Sequence, residues 1–190
     1  MSRPRNTLRI IGGNWRRRRV CFPNVPGLRP TSDRIRETVF NWLQPYLPGA
    51  RCLDLFAGSG AMGLEALSRG AGSALFVERN PAAAASIRTA LKQLGAVGGE
   101  VLQADALRLL EQPGGSYDIV FIDPPFGTDI ISTCCELLEQ HQWLKPGALI
   151  YLEQERGKPI PTTPDNWSLH RQAKAGQVAY YLMRRQEDRS

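Results

Sequence analysis

From Arg51 onward, short apolar runs alternate with segments whose apolar residues recur at helical spacing. Cys52-Leu53-Asp54-Leu55-Phe56 reads as a strand, and Ala61 to Arg69 as a helix closed by Gly70. Ala74 to Val77 is the next strand. Asn80 followed by Pro81 opens a helix as cap and first helical position, Ile87, Leu91 and Leu94 form its buried stripe, and Gly95 stops it. Glu100 to Leu102 is a strand, Ala106 to Glu111 a short helix, and Ile119 to Ile122 a strand that leads into Asp123. Ile130, Ile131, Cys134, Leu137 and Leu138 mark a helix, and Ala148 to Leu152 a fifth strand. Strands alternating with helices predict a parallel, doubly wound α/β sheet with right-handed crossovers.

The two ends of the chain break this rhythm. Leu8 to Ile11 and Val20 to Phe22 read as strands joined across Gly12-Gly13-Asn14, a β-hairpin over residues 7–22. Pro23, Pro26, Gly27 and Pro30 make a stiff linker; Thr31 or Ser32 then caps a helix with Asp33 in its first turn, Ile35, Val39, Trp42 and Leu43 on one face, and an end at Pro45 and Pro48. At the other end, Trp167 to Ala173 and Val178 to Met183 are strand-like and separated only by a turn around Gly176. No helix fits between them, so they form a hairpin, and one of its strands runs antiparallel to the sheet. Residues 1–30 are expected to be a basic extension with its linker, and residues 31–190 the α/β domain.

Charge sharpens this division. Residues 1–40 hold ten arginines against Asp33 and Glu37, a net of +8, while residues 41–190 hold 14 basic and 16 acidic side chains, a net of −2. A basic segment on a slightly acidic body points to a polyanionic partner, most simply nucleic acid, the alternative being a solvated basic tail. The run Arg16-Arg17-Arg18-Arg19 is the expected phosphate contact. Trp15 beside it either anchors the hairpin in the core or stacks on a base; Arg29, Arg34 and Glu37 either form a lid or pair with one another along an exposed helix face. Cys21, Cys52, Cys134 and Cys135 form no C-x-x-C pair, and His141 and His170 lie far apart, so neither a disulfide framework nor a metal site is expected. No apolar stretch reaches the length of a membrane span and no apolar signal core follows the Arg-rich start, so a cytoplasmic protein without a membrane is expected.

Candidate chemistry lies at the predicted strand ends, where open α/β sheets bind their ligands. After the first strand comes Asp54-Leu55-Phe56-Ala57-Gly58-Ser59-Gly60-Ala61-Met62-Gly63, whose glycines fit G-x-G-x-x-G between a strand and a helix. Glu78 ends the second strand, 20 residues after Gly58, where an acid suits the two hydroxyls of a ribose. Asp105, followed by Ala106, either accepts from an adenine amine or caps the next helix. This fingerprint alone does not separate a nicotinamide dinucleotide from another adenosyl cofactor. Two features favour S-adenosylmethionine: Asp54 stands before the glycines, where a carboxylate meets a cationic methionine portion, and no histidine sits at a strand end to serve hydride transfer. Asp123-Pro124-Pro125-Phe126 follows the fourth strand. Two prolines donate no hydrogen bond and stiffen the loop. A carboxylate, a rigid carbonyl and a flat ring suit the gripping of a planar base that carries an exocyclic amine, against the simpler reading of a turn with an acidic cap.

The Asp54–Gly63 and Asp123–Phe126 motifs resemble those of class I S-adenosylmethionine-dependent methyltransferases that act on exocyclic amines of bases. Arg9 to Arg16, Gly27 to Thr31, Asp33-Arg34, Arg36-Glu37-Thr38, Asn166 to Arg171 and Ala175 to Tyr180 resemble the bacterial 16S ribosomal RNA guanine-N2 methyltransferases that act at guanine 966. The resemblance implies a seven-stranded sheet, S-adenosylmethionine as methyl donor, and methylation of one guanine N2 in the small ribosomal subunit or a late assembly particle rather than naked RNA. Asp123, Pro124 and Phe126 are then the catalytic group; Asp54, Phe56, Gly58, Gly60, Glu78, Asp105 and Ala106 bind the cofactor; Arg16 to Arg19, Arg29 and Arg34 bind RNA; and the protein acts as a monomer. The rivals are a DNA amine methyltransferase, for whose target-recognition domain 190 residues leave little room, a nicotinamide-dependent oxidoreductase, and a catalytically silent RNA-binding factor.

Overall fold

The computed structural model describes residues 6–187; residues 1–5, part of the expected basic extension and including Arg3 and Arg5, lie outside it. The chain opens with strands β1 (Asn6–Arg9) and β2 (Arg19–Phe22), paired antiparallel as a two-stranded sheet, and helix α1 (Asp33–Leu43) follows the linker. Ser32, not Thr31, caps α1, its hydroxyl accepting from the Ile35 N–H at 3.3 Å. Then come β3 (Arg51–Asp54), α2 (Ala61–Ser68), β4 (Ser73–Val77), α3 (Pro81–Leu94), β5 (Gly99–Leu102), α4 (Ala106–Leu110), β6 (Tyr117–Ile122), α5 (Ile131–Gln140), β7 (Leu144–Glu155), β8 (Trp167–Ala175) and β9 (Val178–Arg185). Among the described residues, β3 to β9 form a seven-stranded sheet in the order β5-β4-β3-β6-β7-β9-β8. The pairs from β5 through β7 are parallel; β9 runs antiparallel to both β7 and β8.

Alternate residues of the strands build two core layers. Cys52, Phe76, Ile119, Phe121, Leu149, Tyr151, Tyr180 and Leu182 face α1, α2 and α3 on one side. Leu53, Val77, Val120, Ile122, Ile150, Leu152 and Tyr181 face α4 and α5 on the other. Leu8, Ile10, Val20 and Phe22 of the hairpin join the first layer. Trp15 is half-buried against it, the anchoring alternative for that ring.

Polar bonds fix the hairpin to α2. Glu65, fully buried, accepts from the Ile11 N–H at 3.0 Å, the Gly12 N–H at 2.8 Å and Arg69 Nε at 2.9 Å. The Ser68 hydroxyl accepts from the Trp15 N–H and donates to the Gly12 carbonyl. Gly13 meets α2 so closely that a Cβ there would sit 1.9 Å from the Ser68 carbonyl oxygen, with φ at +75° besides, so no larger residue fits. Arg36, 1% exposed, reaches Glu65 at 3.3 Å, Asp33 at 2.6 Å, and the Arg9 and Thr31 carbonyls.

Several sequence expectations change in extent: the first hairpin strand, read as Leu8 to Ile11, is Asn6–Arg9, and β6 begins at Tyr117 rather than Ile119. β3 stops at Asp54, so Leu55 and Phe56 belong to the turn, although the Leu55 N–H still bonds the Phe121 carbonyl. β7 begins four residues before Ala148 and ends three beyond Leu152. Pro146 and Gly147 lie within β7, and the ladder absorbs them in a register shift between Tyr117 and Ile119 of the neighbouring strand.

Candidate active site

Chain order reverses between β3 and β6: the sheet runs to β4 and β5 on one side and to β7 on the other. In open α/β sheets ligands bind at such a switch point, outside the C-terminal strand edge. Asp54, the glycine loop, Glu78 and Asp123 converge there.

Asp54 ends β3 and is 3% exposed. Its Oδ2 accepts from the Gly63 N–H at 3.1 Å, across the loop. Burial pushes its carboxyl up to about 7, against the pull of that N–H, and the Glu78 charge adds to the rise. Among the described residues no cation pairs with it. Gly60 caps α2 in the left-handed region, with φ at +81°, and its N–H bonds the Ala57 carbonyl at 2.6 Å. Glu78 holds the loop from the next strand: one oxygen accepts from the Gly58 N–H at 2.7 Å, the other from the Asn80 N–H at 2.8 Å. Each oxygen keeps a lone pair for a further donor. Phe56 is half-buried against the second core layer.

Asp105 is exposed and caps α4, accepting from the Arg108 N–H at 3.1 Å; of its two sequence readings the structure supplies the cap. Ala106 is buried as the first residue of that helix. Gly58 has φ at +53°, and Leu28 of the N-terminal linker lies over it, 3.8 Å from where a Cβ would stand.

The Asp123 loop leaves the same strand edge, at the end of β6 and near Asp54. Asp123 Oδ2 lies 3.2 Å from the Thr31 hydroxyl. Burial, and after it the nearby Glu153 charge, pushes the Asp123 carboxyl well above the ordinary range. Pro124 is buried, and among the described residues no hydrogen bond ends on its carbonyl; the Pro125 carbonyl accepts from Thr128 at 2.7 Å. Phe126 is 57% exposed. An aromatic ring left in water beside a carboxylate and a free carbonyl is the arrangement expected of a surface that takes a planar base.

Arg16, Arg17, Arg18, Arg19, Arg29 and Arg34 are all exposed. Arg18 donates to the Gln93 carbonyl on α3 at 2.7 Å. Among the described residues no ion pair joins Arg29, Arg34 or Glu37; the ion pairs of this region run through Arg9, Asp33, Arg36, Glu65 and Arg69 instead. The described residues hold no cluster suited to a metal ion, and no helix long and apolar enough to cross a membrane. Burial pushes the Cys52 and Cys134 thiols up to about 12, so neither is a nucleophile near neutral pH.

The sheet order with its reversed strand β9 is the class I methyltransferase fold; the T. thermophilus 16S rRNA N2 G1207 methyltransferase, solved with AdoMet and guanosine, shares it at a TM-score of 0.67 and 20% identity, over 97% of this chain and 50% of that one. The family described as Conserved hypothetical protein 95 matches residues 8–184. Ribosomal RNA small subunit methyltransferase D of Escherichia coli (strain K12) is 50% identical over 179 residues, 94% of this chain and 90% of its own length. The solved structure of yhhF from Escherichia coli superposes with a TM-score of 0.90 at 46% identity, over 95% of this chain and 99% of that one. The chain belongs to this methyltransferase family.

Proposed function

We propose that this protein transfers a methyl group from S-adenosylmethionine to the exocyclic N2 amine of guanine 966 in 16S ribosomal RNA, within the small ribosomal subunit or a late assembly particle. It does so as a cytoplasmic monomer. The name of the half-identical relative supports the ribosomal RNA substrate; the N- and C-terminal sequence blocks support the position. The observation that carries the amine chemistry is the Asp123–Phe126 loop beside the glycine loop at the β3–β6 switch point.

The site fits the cofactor. Asp54 is a buried carboxylate without a protein cation, and an ammonium group supplies the charge that its burial lacks. The spare lone pairs of Glu78 accept from ribose hydroxyls. The Gly58–Gly60 turn brings backbone close to the bound group, under Leu28. When bound, S-adenosylmethionine supplies a methyl carbon on a sulfonium, a leaving group that needs no acid.

The protein's task is then the nucleophile. Guanine N2 has its lone pair delocalised into the ring. Asp123 and the Pro124 carbonyl each accept one N2–H, which draws the nitrogen toward tetrahedral geometry and frees the lone pair. Positioning and preorganised electrostatics provide the rate. Phe126 stacks on the extruded base; such stacking contributes about 1–3 kcal/mol, comparable to the few kcal/mol that extrusion costs. The exposed arginines of the hairpin, with Arg29 and Arg34, meet phosphates, so residues 1–30 act as an RNA-binding extension of the domain formed by residues 31–190.

Asp123→Ala tests this assignment. Methyl transfer to small-subunit particles should be lost while calorimetric affinity for S-adenosylhomocysteine stays within a few-fold. Wild-type turnover in the variant would remove Asp123 from the chemistry.

A further inference from the structure

Behind the Asp123 loop lies a second buried carboxylate that no motif singles out. Glu153, near the end of β7, is 5% exposed. Its Oε2 accepts from the Tyr151 hydroxyl at 2.6 Å and lies 3.4 Å from the Thr31 hydroxyl oxygen, which lies 3.2 Å from Asp123 Oδ2. Thr31, 6% exposed, has one hydroxyl proton for two carboxylate oxygens. It donates to one of them; the other contact is a hydrogen bond only if that carboxyl carries a proton and donates to Thr31. Among the described residues no lysine, arginine or histidine forms an ion pair with Asp123 or Glu153. The other ionisable groups around them are Asp54 on β3, Tyr151 on β7, Tyr180 opposite Glu153 on β9, and Arg36 on α1. Arg36 Nε is spent on the Thr31 carbonyl and its remaining nitrogens on Arg9, Asp33 and Glu65. Two carboxylates close together and without a cation, Glu153 buried and Asp123 half-buried, do not readily both ionise.

We propose that Asp123 and Glu153 share one proton through the Thr31 hydroxyl, and that Glu153 takes this proton when Asp123 must be an anion against the target amine. The proposal rests on the reading of Asp123 as the amine's acceptor. Glu153 acts through Asp123 and is a positioning residue.

Two arrangements of the chain satisfy every contact. In one, Asp123 is protonated and donates to Thr31, which donates to an ionised Glu153 that also accepts from Tyr151. In the other, Glu153 is protonated; it accepts from Tyr151 and donates to Thr31, which donates to an ionised Asp123. The first gives the lone anion two donors and is the resting state. Burial and the Glu153 charge hold the Asp123 carboxyl up in keeping with this. A guanine amine adds its own donor to Asp123 and favours the second. A shift of two protons along the chain, from Asp123 to Thr31 and from Thr31 to Glu153, converts one state to the other. During transfer the N–C bond forms as the C–S bond breaks, and the bonding pair stays on sulfur. The N2 cation then gives its proton to Asp123. The pair holds two protons at that point and releases one to solvent as product leaves, which restores the resting state.

Carbon-13 NMR titration of the carboxyl groups in the ligand-free protein tests the shared proton without turnover. In the wild type, the Asp123 and Glu153 carboxyls should lose their two protons in steps more than about one pH unit apart, Glu153 mainly in the first and Asp123 mainly in the second, the signature of interacting sites. In Glu153→Gln, which still accepts from Tyr151 and donates to Thr31, Asp123 should titrate in one step at lower pH. The acid limb of kcat/KM for methyl transfer to small-subunit particles should move the same way. An Asp123 step that coincides with that of Glu153 in the wild type, or that does not move in the variant, overturns the proposal; the wild-type result alone decides if the variant does not fold. A protein that shows the two-step titration but transfers no methyl group contradicts the function proposed above, not the shared proton.

Discussion

Asp54 lies at the end of β3 with one N–H bond to its carboxylate and a carboxyl raised by burial to about 7. A cofactor whose ammonium binds the ionised form must first remove that proton in acid. The sign is fixed: ligand-free Asp54 is protonated below its raised value, so affinity falls as pH drops through 7, approaching tenfold per unit. Calorimetry with S-adenosylhomocysteine should give binding about tenfold weaker at pH 6 than at pH 8, with most of this dependence absent in Asp54→Asn. Equal affinity at both pH values would mean that Asp54 meets no cation. Asp54, Glu78 and Asp123 were legible from the sequence because each stands in or at the end of an apolar run shortly before a glycine loop, an Asn-Pro helix start or a proline pair. Glu153 and Thr31 were not: they meet across 122 residues, and a strand read as ending at Leu152 leaves Glu153 outside it.

At the scale of elements, the hairpin is held to the body through Glu65 as much as through apolar contact. Glu65→Ala would leave the buried Arg36 guanidinium short of its partner and orphan the Ile11 and Gly12 N–H groups. Breaking one side of a buried pair costs about 3–5 kcal/mol, so the urea midpoint should fall markedly; a change under about 1 kcal/mol would mean that the pair is solvated. The sequence placed Arg36 on a helix but gave no sign of its burial, because the partner that draws it inward lies on α2. The arginines on this element are a separate matter. Arg18 is engaged with Gln93, while Arg16, Arg17 and Arg19 extend from the surface. Each phosphate contact contributes about 0.7–0.9 to the slope of log affinity against log salt. Replacing Arg16, Arg17 and Arg19 by Gln should therefore flatten the slope for small-subunit particles by about 2 units, with cofactor affinity unchanged. Parallel salt plots would place the RNA footprint elsewhere.

At the scale of the whole molecule, the architecture was legible because the sheet alternates its faces strictly. Cys52 and Leu53, Ile119 and Val120, and Phe121 and Ile122 each send one side chain to either core layer, and the crossover rule leaves few ways to connect such strands. The sequence also announced one reversed strand in the C-terminal hairpin, since no helix fits between Ala173 and Val178; the structure makes it β9. The packing of the N-terminal hairpin was beyond it, because Leu8, Ile10, Val20 and Phe22 bury against helices far along the chain. The assembled protein sets a basic extension beside a slightly acidic body, with the strand-end acids and Phe126 at one sheet edge. The central claim is that this edge methylates one guanine of the small-subunit RNA. Mass mapping of modified nucleotides in 16S ribosomal RNA, from cells with and without the protein, tests it most directly. The account predicts one N2-methylguanosine, at position 966, that disappears without the protein and returns with the wild-type chain but not with Asp123→Ala; an unchanged map in cells lacking the protein would contradict it.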